Sequence, residues 1–119
     1  MTLKEVMQYQ RFVVVVDTLN PEKYACIIKK KMRDAGYTVY PVGRELASIN
    51  DIACPIDIID LCIHPAKGLK LLRENRNPFK CVVIQPGAES PELLAWLEVE
   101  QIPSLQGCLL VGLAAYAKK

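Results

Sequence analysis

The run Phe12-Val13-Val14-Val15-Val16 is apolar at every position, too short for a helix core and without polar alternation. A strand buried on both faces of a parallel sheet reads this way, because neither face meets water. Asp17 to Asn20 then predict a turn, with Asn20 as N-cap and Pro21 in the first turn of a helix. Tyr24, Ile27, Ile28, Met32 and Ala35 recur at helical spacing, and Gly36 ends that helix. The alternation repeats. Thr38 to Val42 predict a second strand closing at Gly43, and Ile56 to Ile63 a third. Pro65 opens a helix that turns Leu69 and Leu72 inward. Cys81-Val82-Val83-Ile84 is a fourth strand, and Ser90-Pro91-Glu92 start a helix with Leu93, Leu94 and Leu97 inward. A short last strand is expected near Ile102 to Gln106, and an extra N-terminal helix within residues 1–10.

Strands alternating with helices predict an α/β fold: a Rossmann-like, doubly wound sheet of about five parallel strands with helices on both faces. At 119 residues the chain reads as one domain, 1–119, able to bury a core unaided. In such sheets ligands bind beyond the carboxyl ends of the strands. The candidate site therefore draws on the segments that start at Asp17, Gly43, His64, Gln85 and Gln106.

Composition narrows the classes of function. A net charge of +2 implies neither nucleic-acid nor membrane-surface binding, so an anionic partner has to be held by a local site. The five cysteines, Cys26, Cys54, Cys62, Cys81 and Cys108, show no C-x-x-C spacing, which suggests neither a disulfide framework nor a zinc centre. Met1-Thr2-Leu3-Lys4-Glu5 has no apolar signal core, and no run reaches transmembrane length. A reducing cytoplasm is the expected location.

Several loop segments resemble a known family. Gly36-Tyr37-Thr38-Val39-Tyr40-Pro41-Val42, Ile56-Asp57-Ile58-Ile59-Asp60-Leu61-Cys62 and, above all, Gln85-Pro86-Gly87-Ala88-Glu89-Ser90 stand in order along the chain. They are similar to the motifs of small bacterial coenzyme A-binding domains related to the N-terminal domain of the succinyl-CoA synthetase alpha subunit. Cys108-Leu109-Leu110-Val111 closes the pattern, so the resemblance runs from about residue 11 to 113. It implies coenzyme A or another adenine nucleotide as ligand. The phosphates would sit on a first loop of the type G-x-S-x-x-P-x-R-x-S, read here as Val16-Asp17-Thr18-Leu19-Asn20-Pro21-Glu22-Lys23-Tyr24-Ala25. Thr18 stands for the serine and Lys23 for the arginine, while Val16 replaces the glycine and Asp17 adds a carboxylate. A like charge within about 5 Å opposes phosphate binding. The loop therefore reads as degenerate.

The ligand-contact set that follows is Asp17, Thr18, Asn20, Lys23, Arg44, His64, Gln85, Pro86, Gly87 and Cys108. Arg44 follows the second strand, where an arginine suits a phosphorylated ribose and equally suits an ordinary surface turn. His64 can serve as a base or a ligand-edge contact, the latter preferred. Cys108 is a nucleophile only if a base approaches; a packing thiol is the plainer reading. Asp60, among apolar neighbours, is expected to cap a loop or helix end. Lys29-Lys30-Lys31 with Arg33 read as the solvated face of a helix. No catalytic or metal-ligating set emerges. The expected function is a non-catalytic coenzyme A- or nucleotide-binding domain. The alternative is a ligand-free module for protein association, a homodimer included, and an NAD-dependent oxidoreductase is disfavoured because G-x-G-x-x-G is absent.

Overall fold

The computed structural model describes residues 2–15, 23–43 and 48–116. Its elements are α1 (Leu3–Val6), β1 (Arg11–Val15), α2 (Tyr24–Asp34), β2 (Thr38–Val42), a 3-10 turn (Ile49–Asp51), β3 (Ile58–Leu61), α3 (Pro65–Glu74), β4 (Cys81–Ile84), α4 (Pro91–Val99), β5 (Ser104–Gln106) and α5 (Leu109–Tyr116). The five strands form one parallel sheet in the order β2-β1-β3-β4-β5. The expected α/β architecture with helices on both faces is thus the one found.

The unbroken apolar runs have a direct physical cause. Phe12 to Val15, Ile58 to Leu61 and Cys81 to Ile84 are buried at every position. Successive side chains point to opposite faces of the sheet, so each strand feeds two cores. Val13, Val15, Ile59, Leu61, Val82 and Ile84 pack with Leu72 of α3 and with Leu93 and Leu97 of α4. Phe12, Val14, Ile58, Cys81 and Val83 pack with Ala25, Ile28 and Met32 of α2 and Leu109 of α5.

Element boundaries differ from the sequence reading in several places. The third strand is Ile58–Leu61 rather than Ile56–Ile63. Its ladder bonds reach one residue further at each end, Asp57 N to Arg11 O at 2.9 Å and Cys62 N to Val15 O at 3.1 Å. Ile56 leaves the sheet to pack beside Ile49 and Ile52 of the 3-10 turn, which burial pattern alone does not distinguish from a strand. The Asp57 carboxylate accepts from Gln10 N and Arg11 N at 3.2 and 2.9 Å, fastening the start of β1 to the residue before β3. Helix α2 begins at Tyr24 with Lys23 as an N-cap that makes no side-chain cap bond; Asn20 and Pro21 lie outside the described residues. The N-terminal helix is only Leu3–Val6, closed by a capping box between Thr2 and Glu5. Helix α5 had no counterpart in the periodicity, since its run Leu109 to Tyr116 is apolar on nearly all sides.

Two helical glycines make a controlled comparison. A Cβ on Gly68 of α3 would meet Leu61 Cδ1 at 3.4 Å and Ile63 Cγ2 at 3.5 Å, ordinary contacts with side-chain ends. A Cβ on Gly112 of α5 would meet Met7 Sδ at 2.8 Å, Met7 Cγ at 3.0 Å and Leu3 Cδ1 at 3.2 Å, against a Met7 that is fully buried. Gly68→Ala is expected to raise stability by up to about 1 kcal/mol, from helix propensity. Gly112→Ala is expected to lower it by about 1 kcal/mol, because overpacking outweighs the same propensity gain. Urea denaturation of both variants checks the opposite signs.

Candidate functional site

The topology places a crevice. From β1 the chain steps to β2 at one side, then returns past β1 to build β3, β4 and β5 on the other. Where the order reverses, loops at the carboxyl ends diverge and leave room for a ligand. Next to that reversal, a cavity of about 540 Å³ lies over the carboxyl ends of β3 and β4. One wall is Cys62, Ile63, His64 and Lys67; the other is Gln85, Pro86, Gly87 and Ala88. The volume falls within the range of small-molecule sites, about 300–1,000 Å³.

His64 is the N-cap of α3, with Pro65 behind it at the first helical position. Its Nδ1 accepts from Ala66 N at 3.2 Å, so the ring proton is on Nε2. The next two amides, Lys67 N and Gly68 N, both reach His64 O at 3.0 Å. The first-turn amides of α3 are therefore largely engaged within the chain. What the helix offers a ligand is the positive end of its dipole, the Lys67 ammonium and the His64 Nε2–H.

The facing loop is built by turn chemistry. Ala88 N donates to Gln85 O at 2.9 Å, and Gly87 takes a φ of +94°, a conformation natural only to glycine. Gly87 N donates to Glu89 Oε2 at 2.8 Å, so a carboxylate of the chain occupies the amide of this cavity-lining glycine. Ser90 Oγ accepts from Leu93 N at 3.1 Å and starts α4.

Beneath the cavity lies a polar cluster that the sequence reading assigned differently. Asp60 does not cap a loop or helix. It is fully buried in β3, where Gln85 Nε2 donates to its Oδ1 at 3.1 Å and Oδ2 at 3.4 Å, and Cys62 Sγ donates to Oδ2 at 3.3 Å. The reason is strand geometry. Asp60 and Cys62 share a face of β3, and Gln85 continues the same face beyond β4, so the three meet across one strand spacing. Burial pushes the Asp60 carboxyl up to about 7, opposed by the hydrogen bonds from Gln85 and Cys62. Burial, and then the Asp60 charge, raise the Cys62 thiol well above its ordinary range, with a smaller contribution from Cys108. Cys62 is thus a hydrogen-bond donor rather than a thiolate nucleophile.

Of the sequence-predicted residues, His64, Gln85, Pro86 and Gly87 come together around the cavity. Cys108 precedes α5 and lies near Cys62, outside the lining. Lys23 is exposed at the start of α2. Asp17, Thr18, Asn20 and Arg44 lie outside the described residues. Cys62, Ile63, Lys67 and Ala88 were not singled out from the sequence. Lys67 was within reach of it, because a helix opened at Pro65 brings the third residue after His64 back to the same end. Among the described residues, no helix is long and apolar enough to cross a membrane.

A family described as "CoA binding domain" matches residues 10–114, and the chain belongs to it. The chain is also similar to solved structures. A conserved hypothetical protein from Pyrococcus furiosus is 29% identical, covering 87% of this chain and 98% of that one with a TM-score of 0.80. A hypothetical protein from Pyrococcus horikoshii OT3 is 20% identical over 96% of this chain and 89% of its own, with a TM-score of 0.86. A Thermus thermophilus protein is 22% identical over 94% and 96%, with a TM-score of 0.74. No curated protein matches the chain.

The geometry of the Gln85–Ser90 loop makes its own prediction. Nothing lies within 4 Å of a Cβ built on Gly87, so Gly87→Ala meets no clash and acts only through its positive φ. The variant is expected to lose about 1 kcal/mol of stability in denaturant unfolding and to retain the fold.

Proposed function

Starting from membership of the CoA binding domain family, we propose that this protein is a non-catalytic binding domain for coenzyme A or a related adenine nucleotide. The observation that carries the reading is the cavity over the ends of β3 and β4, with Lys67 and the start of α3 on one wall and the Gln85–Ala88 turn on the other. A fit to coenzyme A depends on where its charge goes. In the described half, Gly87 N is taken by Glu89 and the α3 amides by His64, so this half offers few donors for phosphates. It offers apolar contact from Ile63, Pro86 and Ala88, a single ammonium from Lys67, and the His64 Nε2–H. That suits the uncharged, amide-bearing arm of the ligand, with Lys67 able to meet one anionic group.

The polyphosphate then falls to the first loop and its neighbours, Thr18, Asn20, Lys23 and Arg44, against the opposing carboxylate of Asp17. Lysine supplies charge without the bidentate fork of arginine, so binding there is weaker than a complete loop would give. We assign no catalytic residue. The Cys62 thiol is held protonated, and His64 Nδ1 is committed to its helix cap.

Isothermal titration calorimetry tests this reading. Coenzyme A is expected to bind with micromolar Kd, 3′-dephospho-coenzyme A and NAD more weakly, and Lys67→Ala to weaken coenzyme A several-fold. Absence of heat with all three ligands at millimolar concentration would overturn it and leave the domain as a protein-association module.

A further inference from the structure

Asp60 and Gln85 are the two buried polar residues of the core among the described residues, 0% and 4% exposed. They touch each other, yet the contact is incomplete. Gln85 Nε2 faces both Asp60 oxygens, while Gln85 Oε1 is buried with no hydrogen-bond partner. An ionised carboxylate only accepts, so it can never supply the donor that Oε1 lacks. Turning the amide over helps nothing, because Oε1 would then face two acceptors and the stranded group would be Nε2. Buried polar groups without partners are rare, since each forfeits its hydration without return.

One proton resolves both defects. We propose that Asp60 and Gln85 form a reciprocal acid–amide pair in the folded protein: Asp60 is protonated, its hydroxyl donates to Gln85 Oε1, its carbonyl oxygen accepts from Gln85 Nε2, and the pair fixes Gln85 in the crevice wall. A rotation of the amide about its terminal bond converts the shared contact into two parallel hydrogen bonds. Cys62 S–H continues to donate to Oδ2, which as a hydroxyl oxygen donates once and accepts once. The surroundings favour the neutral acid. Val14 of β1 and Val83 of β4 flank Asp60 in register, and α2 and α5 bring Ala25, Ile28, Met32 and Leu109 to this face. Among the described residues, the titratable groups near it are the thiols of Cys62 just past the end of its own strand, Cys81 on β4 and Cys108 before α5. None of these described neighbours carries a cation to hold a carboxylate. The raised titration of Asp60, caused first by burial, agrees with this geometry.

Asp60 is thus a positioning residue: it acts on the crevice through Gln85, whose side chain lines the cavity. Its effect on ligand affinity rests on the function proposed above; the pair itself does not. The sign of the linkage is definite. The ordinary value for the carboxyl is 3.8 and burial moves it to about 7, so the native state holds a proton that the unfolded chain has released. Stability therefore falls as pH rises from about 4 to about 7, and this contribution is flat above that.

The test is a pH titration of the Asp60 side-chain carboxyl by carbon-13 NMR on the wild-type protein, assigned through its own backbone and so needing no variant. A midpoint near neutrality supports the pair, and a midpoint in the ordinary carboxylate range overturns it. Asp60→Asn keeps both hydrogen bonds without a titrating proton. It is expected to remain folded, to lose the downward slope of Tm between pH 4 and 7, and to bind coenzyme A within two-fold of wild type, independently of pH. Asp60→Leu strands the Gln85 amide and is expected to weaken coenzyme A several-fold. If wild type shows no coenzyme A heat, the function proposed above fails, while the NMR midpoint and the Tm slope still decide the pair. If Asp60→Asn retains the slope, Asp60 is not its source and the pair is refuted.

Discussion

Three strands, β1, β3 and β4, are buried on both faces, and the rest of the structure follows from having to cover them. A parallel sheet leaves no solvated face, so helices must lie above and below it. Here α3 and α4 close one side while α1, α2 and α5 close the other. Covering both faces from one chain requires the strand order to reverse, and the reversal between β1 and β3 opens the crevice at their carboxyl ends. The site is thus a by-product of core formation. The sheet and its covering helices, rather than a ligand, dictate this architecture, which is why fold and ligand are separable questions.

Much of this was legible in the chain itself. Val13-Val14-Val15 and Cys81-Val82-Val83-Ile84 have no polar alternation, a pattern that double-sided burial alone explains. Pro65 and Ser90-Pro91 marked the starts of α3 and α4 because capping chemistry is local. What was not legible is equally physical. Ile56 and Ile63 are as apolar as the strand between them, and only the turn at Ile49–Asp51 pulls Ile56 out of the sheet. Helix α5 hid because it is apolar almost all round, so no stripe stood out against a polar background. In the site, the Gln85-to-Ser90 turn was readable through Gly87 and Ser90. The partner of Asp60 was not, since residues 60 and 85 are joined by strand register rather than by spacing.

The placement of the polar cluster explains why a carboxyl survives within a strand. Replacing a buried polar pair with apolar residues of like volume is often neutral or stabilising, so stability is a weak reason to keep one. Location gives a better reason. Asp60 and Cys62 lie at the end of β3 and Gln85 just past β4, where the core gives way to the crevice. An apolar side chain at 85 would leave the start of the turn held by its backbone bonds alone, Gln85 N to Leu61 O and Ala88 N to Gln85 O. Hydrogen bonding to Asp60 orients the Gln85 side chain under the loop while its carbonyl oxygen closes the turn onto Ala88 N.

That arrangement also decides what the described half of the crevice can recognise. A phosphate site is commonly made from unsatisfied amides at a helix start or in a glycine-rich turn. Here His64 has taken the amides of α3, and Glu89 has taken that of Gly87. Both loops are therefore preorganised as walls at the cost of backbone donors, and what they present to the cavity is side chains: the charge of Lys67, the His64 Nε2–H, and the apolar surfaces of Ile63, Pro86 and Ala88. An anion drawn to this end has to meet Lys67 or displace Glu89. The function proposed above leaves the charge of a polyphosphate ligand to the first loop of the sequence, in which Thr18 and Lys23 favour it and Asp17 opposes it. On that proposal, the balance of those three side chains, rather than anything in the sheet, sets how strongly the domain holds a nucleotide.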